Sequence, residues 1–501
     1  MSVYGEFFTK FMEPLFEGFV SIFKGLGSGL FQMFNIVNYI TVINDYKSDL
    51  TGIGLVIMIF SIIFLVAIFA LIVFLIYKSI RVYVRYRRNV KKEDMLIEEI
   101  DSLNNEIFKL KRQNAKISEL TNENGEIEYN EDGTVKNELK EGESRFFKLS
   151  NVDAKYENMT PEEIHNTFTL EEFCDQFRNY SASKLHLYYD INLIRLFIAS
   201  FASNKLIILE GISGTGKTSL AYAFGSFVDN ETTVASVQPS WRDSTEIFGY
   251  FNEFTKKFNE TEILEKMYEA EYSDQVYITL LDEMNISRVE YYFAEMLSIL
   301  ELPNKKDWVV ELVPNVWPGD PKKLQDGKLK IPENMWYIGT INNDDSTFMI
   351  TDKVYDRAMP IAIDDKCEVF EAPETDKVKT SFKYLDSLFE KSSEEHPVKA
   401  ENLEKIAQLD RYVIDHFRLA FGNRIVKQLK DFVPAFVACG GDEVAGIDYL
   451  IAHKILRKFE QLNISYIRDE IDDFVKYLNT TFGQDKMHEC IEYVQRLKKM
   501  S

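Results

Sequence analysis

The run Gly211-Ile212-Ser213-Gly214-Thr215-Gly216-Lys217-Thr218 fits the pattern GxxxxGK[ST] and lies between two segments of opposite character. Before it is the apolar, strand-like Leu206-Ile207-Ile208-Leu209. After it is the helix-forming Ser219-Leu220-Ala221-Tyr222-Ala223. A strand, a glycine-rich turn and a helix in that order predict an α/β unit in which the turn binds phosphate. The glycines let backbone N–H groups close on an anion, and the helix N-terminus adds the positive end of its dipole. Gly211, Ser213, Gly214, Thr215, Gly216 and Ser219 would then line the phosphates. Lys217 would reach the β- and γ-phosphates of a nucleotide, and the Thr218 hydroxyl would ligate Mg2+.

Two further apolar segments end in polar residues suited to the same site. Val276-Tyr277-Ile278-Thr279-Leu280-Leu281 runs into Asp282-Glu283, and Trp336-Tyr337-Ile338-Gly339-Thr340-Ile341 runs into Asn342. Side chains at the C-terminal tips of parallel strands face the ligand crevice of an open α/β sheet. Asp282 is expected to support the Mg2+ shell with Thr218. Glu283 is expected to polarise an attacking water, and Asn342 to hold that water against the γ-phosphate.

With these motifs in this order, the stretch from Tyr189 to Ile363 resembles the AAA+ ATPases, and within them the McrB-like, dynein-related branch. Leu281-Asp282-Glu283-Met284-Asn285 followed by Phe293, Glu295, Leu300 and Glu301 looks like that branch's Walker B strand and helix. Pro332-Glu333-Asn334 leading to Asn342 looks like its sensor strand, and Asn342 with Asp345 matches an NxxD pattern. The chain departs from the branch at Ile286, where an Arg is usual; Arg288 stands two positions on. The resemblance implies an α/β P-loop NTPase core over 184–366 and a helical lid over 367–501. It further implies a homo-oligomeric, hexameric ring with nucleotide between subunits. Arg357 is the best match for an arginine acting on the neighbour's nucleotide, with an ordinary salt bridge as the alternative. Arg424 is the candidate lid arginine for the γ-phosphate, and Arg457 competes for that role. Trp241-Arg242-Asp243 reads either as a pore-facing loop or as a packed Trp with a local ion pair. ATP is the usual nucleotide across these enzymes and GTP that of McrB; the loop itself does not read the base. The activity implied is NTP hydrolysis coupled to remodelling or translocation of a macromolecule. No PD-(D/E)xK-like arrangement is present, so McrBC-like defence would need a partner nuclease, and a MoxR-type chaperone is the closest rival. A different class, a membrane scaffold whose nucleotide domain only switches assembly, also fits the architecture.

The net charge of −22 argues against a general nucleic-acid surface, while a local basic channel stays open. The 4 cysteines and 6 histidines show no metal-ligand spacing and suit a reducing compartment. Gly52 to Tyr77 carries no charge, and at about 1.5 Å per residue it exceeds the roughly 30 Å hydrocarbon core, predicting one transmembrane helix over 52–77. Lys78, Arg81, Arg85, Arg87, Arg88, Lys91 and Lys92 follow it, so the positive-inside rule places the rest of the chain in the cytoplasm. In 1–51, Phe8, Phe11, Met12, Leu15, Phe16, Phe19 and Phe23 recur at helical spacing, the mark of an amphipathic helix on lipid or on a partner. Leu96, Ile100, Leu103, Ile107, Leu110, Asn114 and Ile117 form a heptad seam within 93–120, read as a two-stranded coiled coil or as a helix packed on its own domain. Residues 121–144 read as a solvated linker. Residues 145–183 read as a small preface, with Thr160-Pro161-Glu162-Glu163 as a helix start.

Overall fold

The computed structural model describes residues 142–159, 163–253, 255–342, 347–364, 366–462 and 468–500, together with Ile40, Ile63, Lys78 and Leu139. The chain divides into units Met1–Glu106 and Ile107–Ser501, and the fold described is that of the second. Apart from Ile40 and Ile63, the expected amphipathic region 1–51 and transmembrane helix 52–77 lie outside the described residues. So do the coiled coil 93–120 and nearly all of the linker 121–144. Among the described residues no helix is long and apolar enough to cross a membrane.

The described residues form nine strands: β1 Leu206–Gly211, β2 Thr233–Ser236, β3 Gly249–Asn252, β4 Lys257–Glu260, β5 Tyr277–Asp282, β6 Val309–Glu311, β7 Lys328–Lys330, β8 Met335–Asn342 and β9 Ala358–Ala362. Five of them form one parallel sheet in the order β2-β5-β8-β1-β9. The strand ending in Asn342 therefore lies between the strand that opens the phosphate loop and the strand that ends in Asp282. Gly211 is level with Asn342, and Ser236 with Asp282, so the polar strand ends share one edge. β3–β4 and β6–β7 are separate antiparallel ribbons. Their strands, of 4 and 3 residues, are too short to show a period in the sequence.

Alternation along each strand sends side chains to two faces, and both are buried, as parallel strands require. Ile207, Leu209, Ile278, Leu280, Trp336 and Ile338 face one cluster, which contains the helices Leu170–Leu185, Ile191–Ser203 and Lys217–Phe227. The helical C-terminal region from Phe382 to Met500 packs into the same cluster. Leu206, Ile208, Tyr277, Leu281, Tyr337 and Ile341 face the other, built on helix Glu262–Ala270 and the segment Val289–Ile299.

The preface is helical and docked on the core. Helix Phe147–Tyr156 has no side-chain N-cap of its own; instead Glu260 of β4 accepts its first N–H groups, from Phe147, Lys148 and Leu149 at 3.0–3.1 Å. Buried Arg145 pairs with Asp320, Nη2 to Oδ2 at 2.5 Å. The expected helix start at Thr160–Glu163 is corrected. Residues 163–169 are not helical, and the helix begins at Leu170, where Thr169 and Glu172 form a reciprocal capping box. Asn166 explains the delay: it donates to Lys379 O at 2.9 Å and accepts from Ser381 N at 2.9 Å, holding this segment extended against the lid entry.

Candidate phosphate and hydrolysis site

The phosphate loop leaves β1 through Gly211, whose φ is +146°; a Cβ there would lie 2.3 Å from Ile363 O. Only glycine fits that approach of two backbones. Gly216, at φ +95°, turns the chain into helix Lys217–Phe227 from a left-handed cap position. Between them Ile212, Ser213 and Gly214 form an exposed tip, Thr215 is buried, and Ser219 is half-buried on the helix. Thr215 Oγ1 donates to Ile212 O at 3.1 Å, so the loop holds its own shape. Lys217 is 6 % exposed, and its Nζ donates to Gly211 O at 3.0 Å and Ile212 O at 2.7 Å. Burial lowers its pKa, opposed by Asp364 and Asp282. An incoming polyphosphate would add a direct anionic partner to this ammonium.

Asp282 and Glu283 at the end of β5, Asn342 at the end of β8 and Thr218 on the helix after the loop come together. Thr218 Oγ1 donates to Asp282 Oδ1 at 2.7 Å, and Thr340 Oγ1 donates to the same oxygen at 2.8 Å. Thr340 also accepts the Glu283 N–H at 2.8 Å, and Asn342 Nδ2 lies 3.5 Å from Glu283 Oε1. Glu283 itself has φ +52°, a left-handed conformation that a carboxylate residue adopts only when its surroundings hold it. Those surroundings are visible. Tyr292 OH donates to Met284 O at 2.9 Å, and Asn285 Nδ2 donates to Asn342 O at 3.0 Å and to Phe348 O at 3.3 Å. The hydroxyl of Thr218 and the carboxylate of Asp282 are hard oxygen donors on the rim of the loop. They fit a Mg2+ that takes few protein ligands and completes its shell with phosphate and water.

A cavity of about 760 Å³ opens beside the loop, within the range of small-molecule sites. Gly211 and Asn342 line it from the sheet, Thr215 from the loop, Tyr189 from the preceding segment, and His453 and Arg457 from the C-terminal helical region. Tyr189 OH donates to Gly216 O at 3.3 Å, and burial raises its pKa. Arg457 Nη1 contacts Glu210 Oε2 at 2.8 Å.

Arg424 is elsewhere, which corrects its assignment to this subunit's γ-phosphate. It pairs with Glu301 and lines a second cavity, of about 570 Å³, with Asn204, Lys205 and Arg357. Asn204 and Lys205 precede β1 and Arg357 precedes β9, so this cavity lies at the N-terminal edge of the sheet, a strand length (roughly 15 Å) from the phosphate loop. Arg357 is 18 % exposed, with Nη2 2.5 Å from Glu301 Oε2 and Nη1 donating to Lys353 O at 2.7 Å; its buried Nε has no partner among the described residues. One carboxylate thus holds both arginines.

Trp241 is buried, packs edge-on against Tyr292 at 5.2 Å and accepts at its carbonyl from Ser287, so the tryptophan itself is packed, while Asp243 accepts from Thr245 N at 2.9 Å. Arg288 lies over the Phe348 ring at 5.2 Å. Asp345 lies outside the described residues. Sequence reasoning missed Thr340, Tyr189 and Glu210. Glu210 carried a signal, since a carboxylate inside an apolar strand must find a cation when buried. Tyr189 and Thr340 carried none. No protein-family model matches this chain, and no curated protein matches its sequence.

Proposed function

We propose that this chain is a nucleoside-triphosphate hydrolase of the AAA+ type, with ATP favoured over GTP and Mg2+ as cofactor. The carrying observation is the linked set Thr218–Asp282–Thr340–Glu283–Asn342, which joins the C-terminal ends of the adjacent parallel strands β5 and β8 to the first turn of the helix after the phosphate loop. In this mechanism loop N–H groups and Lys217 hold the β- and γ-phosphates. Glu283, fixed by its backbone contact to Thr340, takes up the proton of a water that Asn342 helps to orient. Mg2+ held by Thr218, with Asp282 behind it, would spread charge on the phosphates.

Arg357 lies too far from its own loop to act there, which supports a role on a neighbouring subunit's triphosphate in a ring. Arg424 shares Glu301 with it and joins that face, while Arg457 takes over the lid position beside the subunit's own cavity. A membrane anchor through 52–77, a coiled tether and a macromolecular substrate worked on mechanically complete the reading. A partner nuclease, as in McrBC-like defence, would supply any cutting. The test is steady-state NTP turnover by the full-length protein in detergent. Lys217→Ala and Glu283→Gln are each expected to lower it by about 10²-fold or more. Unchanged turnover in both sinks the assignment. Tight nucleotide occupancy with no turnover in the assembled wild type would favour the scaffold switched by nucleotide.

A further inference from the structure

Glu210 is the one acidic side chain of β1, and it sits one residue before the phosphate loop. It is 8 % exposed. Both its oxygens are engaged. Oε2 accepts from Arg457 at 2.8 Å and from Tyr355 OH at 3.0 Å, and Oε1 faces His453 Nδ1 at 3.8 Å. The Arg457 guanidinium lies over the Tyr355 ring, 3.2 Å from its centre. The carboxylate comes from the sheet, and both Arg457 and His453 come from the C-terminal helical region. Withdrawing such charges from water is costly, and apolar residues would join two elements more cheaply.

The ion pair is also not the sole link between the lid and the sheet. Tyr449 OH accepts from Ala362 N at 3.0 Å, and buried Lys454 donates to Tyr355 O at 2.7 Å and to Ala358 O at 2.5 Å. These neutral-acceptor contacts already pin helix Glu443–Lys454 to β9 and its approach. What sets the Glu210–Arg457 pair apart is its position on the wall of the cavity that also contains Gly211, Thr215 and Asn342. There, among the described residues, the guanidinium has Glu210 as its acceptor, and a second would arrive with a nucleotide.

We propose that Glu210 is a positioning residue that holds Arg457 in reserve, and that a γ-phosphate competes with this carboxylate for the guanidinium. This rests on the nucleotide site proposed above. A terminal phosphate carries more charge and more acceptor oxygens than one carboxylate, so it draws the planar donor fork away. Glu210 then keeps His453 and Tyr355, and its burial stays compensated. Arg457 lies in the 3₁₀ segment Leu456–Gln461, so its transfer pulls the lid toward the loop. A diphosphate lacks the competing group and leaves the pair intact. The pair therefore lets the lid distinguish triphosphate from diphosphate.

The experiment is titration of the full-length protein with a fluorescent non-hydrolysable ATP analogue and with fluorescent ADP, each with Mg2+. Wild type and Lys217→Ala come first: equal binding by the two, or none by wild type, refutes the nucleotide site itself, a failure distinct from failure of the Glu210–Arg457 proposal. Glu210→Gln is expected to tighten the triphosphate analogue by about tenfold and ADP by less than about threefold, as release of one charged competitor implies. Arg457→Gln is expected to abolish the preference for triphosphate. The double variant Glu210→Gln/Arg457→Gln removes both charges together, so it leaves neither buried without its partner, and it should also lack the preference. Equal tightening of both nucleotides by Glu210→Gln overturns the proposal. So does an unchanged triphosphate-to-diphosphate ratio in the double variant.

Discussion

Gly339→Ala tests how Glu283, the carboxylate proposed to act on water, is held, without changing any residue of the proposed nucleotide site. Gly339 pairs with Leu281 across β5 and β8, and Met284 folds back over it. A Cβ at Gly339 would lie 1.8 Å from Met284 Sδ, 2.9 Å from Cε and 3.0 Å from Cγ, so the whole side chain must move. Met284 is fully buried, and its carbonyl is pinned by Tyr292, so the side chain cannot escape to solvent. Overpacking of this kind costs about 1–3 kcal/mol, against a gain of about 0.4–1 kcal/mol from a stiffer unfolded chain. A net loss of about 1–2 kcal/mol is expected in chemical denaturation. The displacement passes to Glu283, the next residue back, and a misplacement of about 1 Å there is worth about 10²-fold in turnover. Nucleotide affinity should be retained, because the loop is untouched. Adding Met284→Ala should relieve the clash, giving a coupling of about 1 kcal/mol or more in a double-mutant cycle. Wild-type stability and turnover in Gly339→Ala, or strictly additive costs in the cycle, would refute the reasoning.

Asn334 donates to Ala270 O, Ser273 O and Gln275 O at 2.9–3.1 Å, closing the turn before β5. Asn334→Ala should cost about 2–3 kcal/mol in urea unfolding, and a loss below about 0.5 would show that these carbonyls find other partners. Burial opposes ionisation of Glu210, but His453 and Arg457 outweigh it and hold its pKa at about 2, against 4.5 for the ordinary group. Because the folded value is depressed, the stabilisation is full above pH 4.5 and is lost as pH falls toward 2. It amounts to roughly 3 kcal/mol. Melting curves of wild type and Glu210→Gln should converge over that window, and a gap independent of pH there would contradict it. For Arg357, mixing Arg357→Ala with Lys217→Ala subunits should restore turnover that neither shows alone, since an arginine acting across subunits is worth about 10³-fold or more. A mixture no more active than its parts would place Arg357 in a structural ion pair.

The phosphate loop and the strand-end residues are legible in the sequence because each is a local feature. Eight consecutive residues specify the loop, and an apolar run followed by Asp-Glu or Asn marks a strand tip, whatever the rest of the chain does. The capping box at Thr169 and Glu172 is equally local, but a similar pattern nine residues earlier competes with it. Only the hydrogen bonds of Asn166 to the lid entry, 213 and 215 residues away, decide between the two.

Which end of the sheet Arg424 and Arg457 each reach is not legible at all. Arg424 and Arg457 are both basic residues in a helical C-terminal region, and nothing in their neighbourhoods says which end of the sheet each will meet. Helix packing decides it, bringing Arg457 to Glu210 across 247 positions and Arg424 to Glu301 at the opposite edge. The sequence by itself thus determined the chemistry available at the loop, because short-range backbone preferences and residue type suffice for that. The tertiary structure alone decided which charges meet. Strand order and helix packing sum many weak contacts over the whole domain, and no single segment records the result.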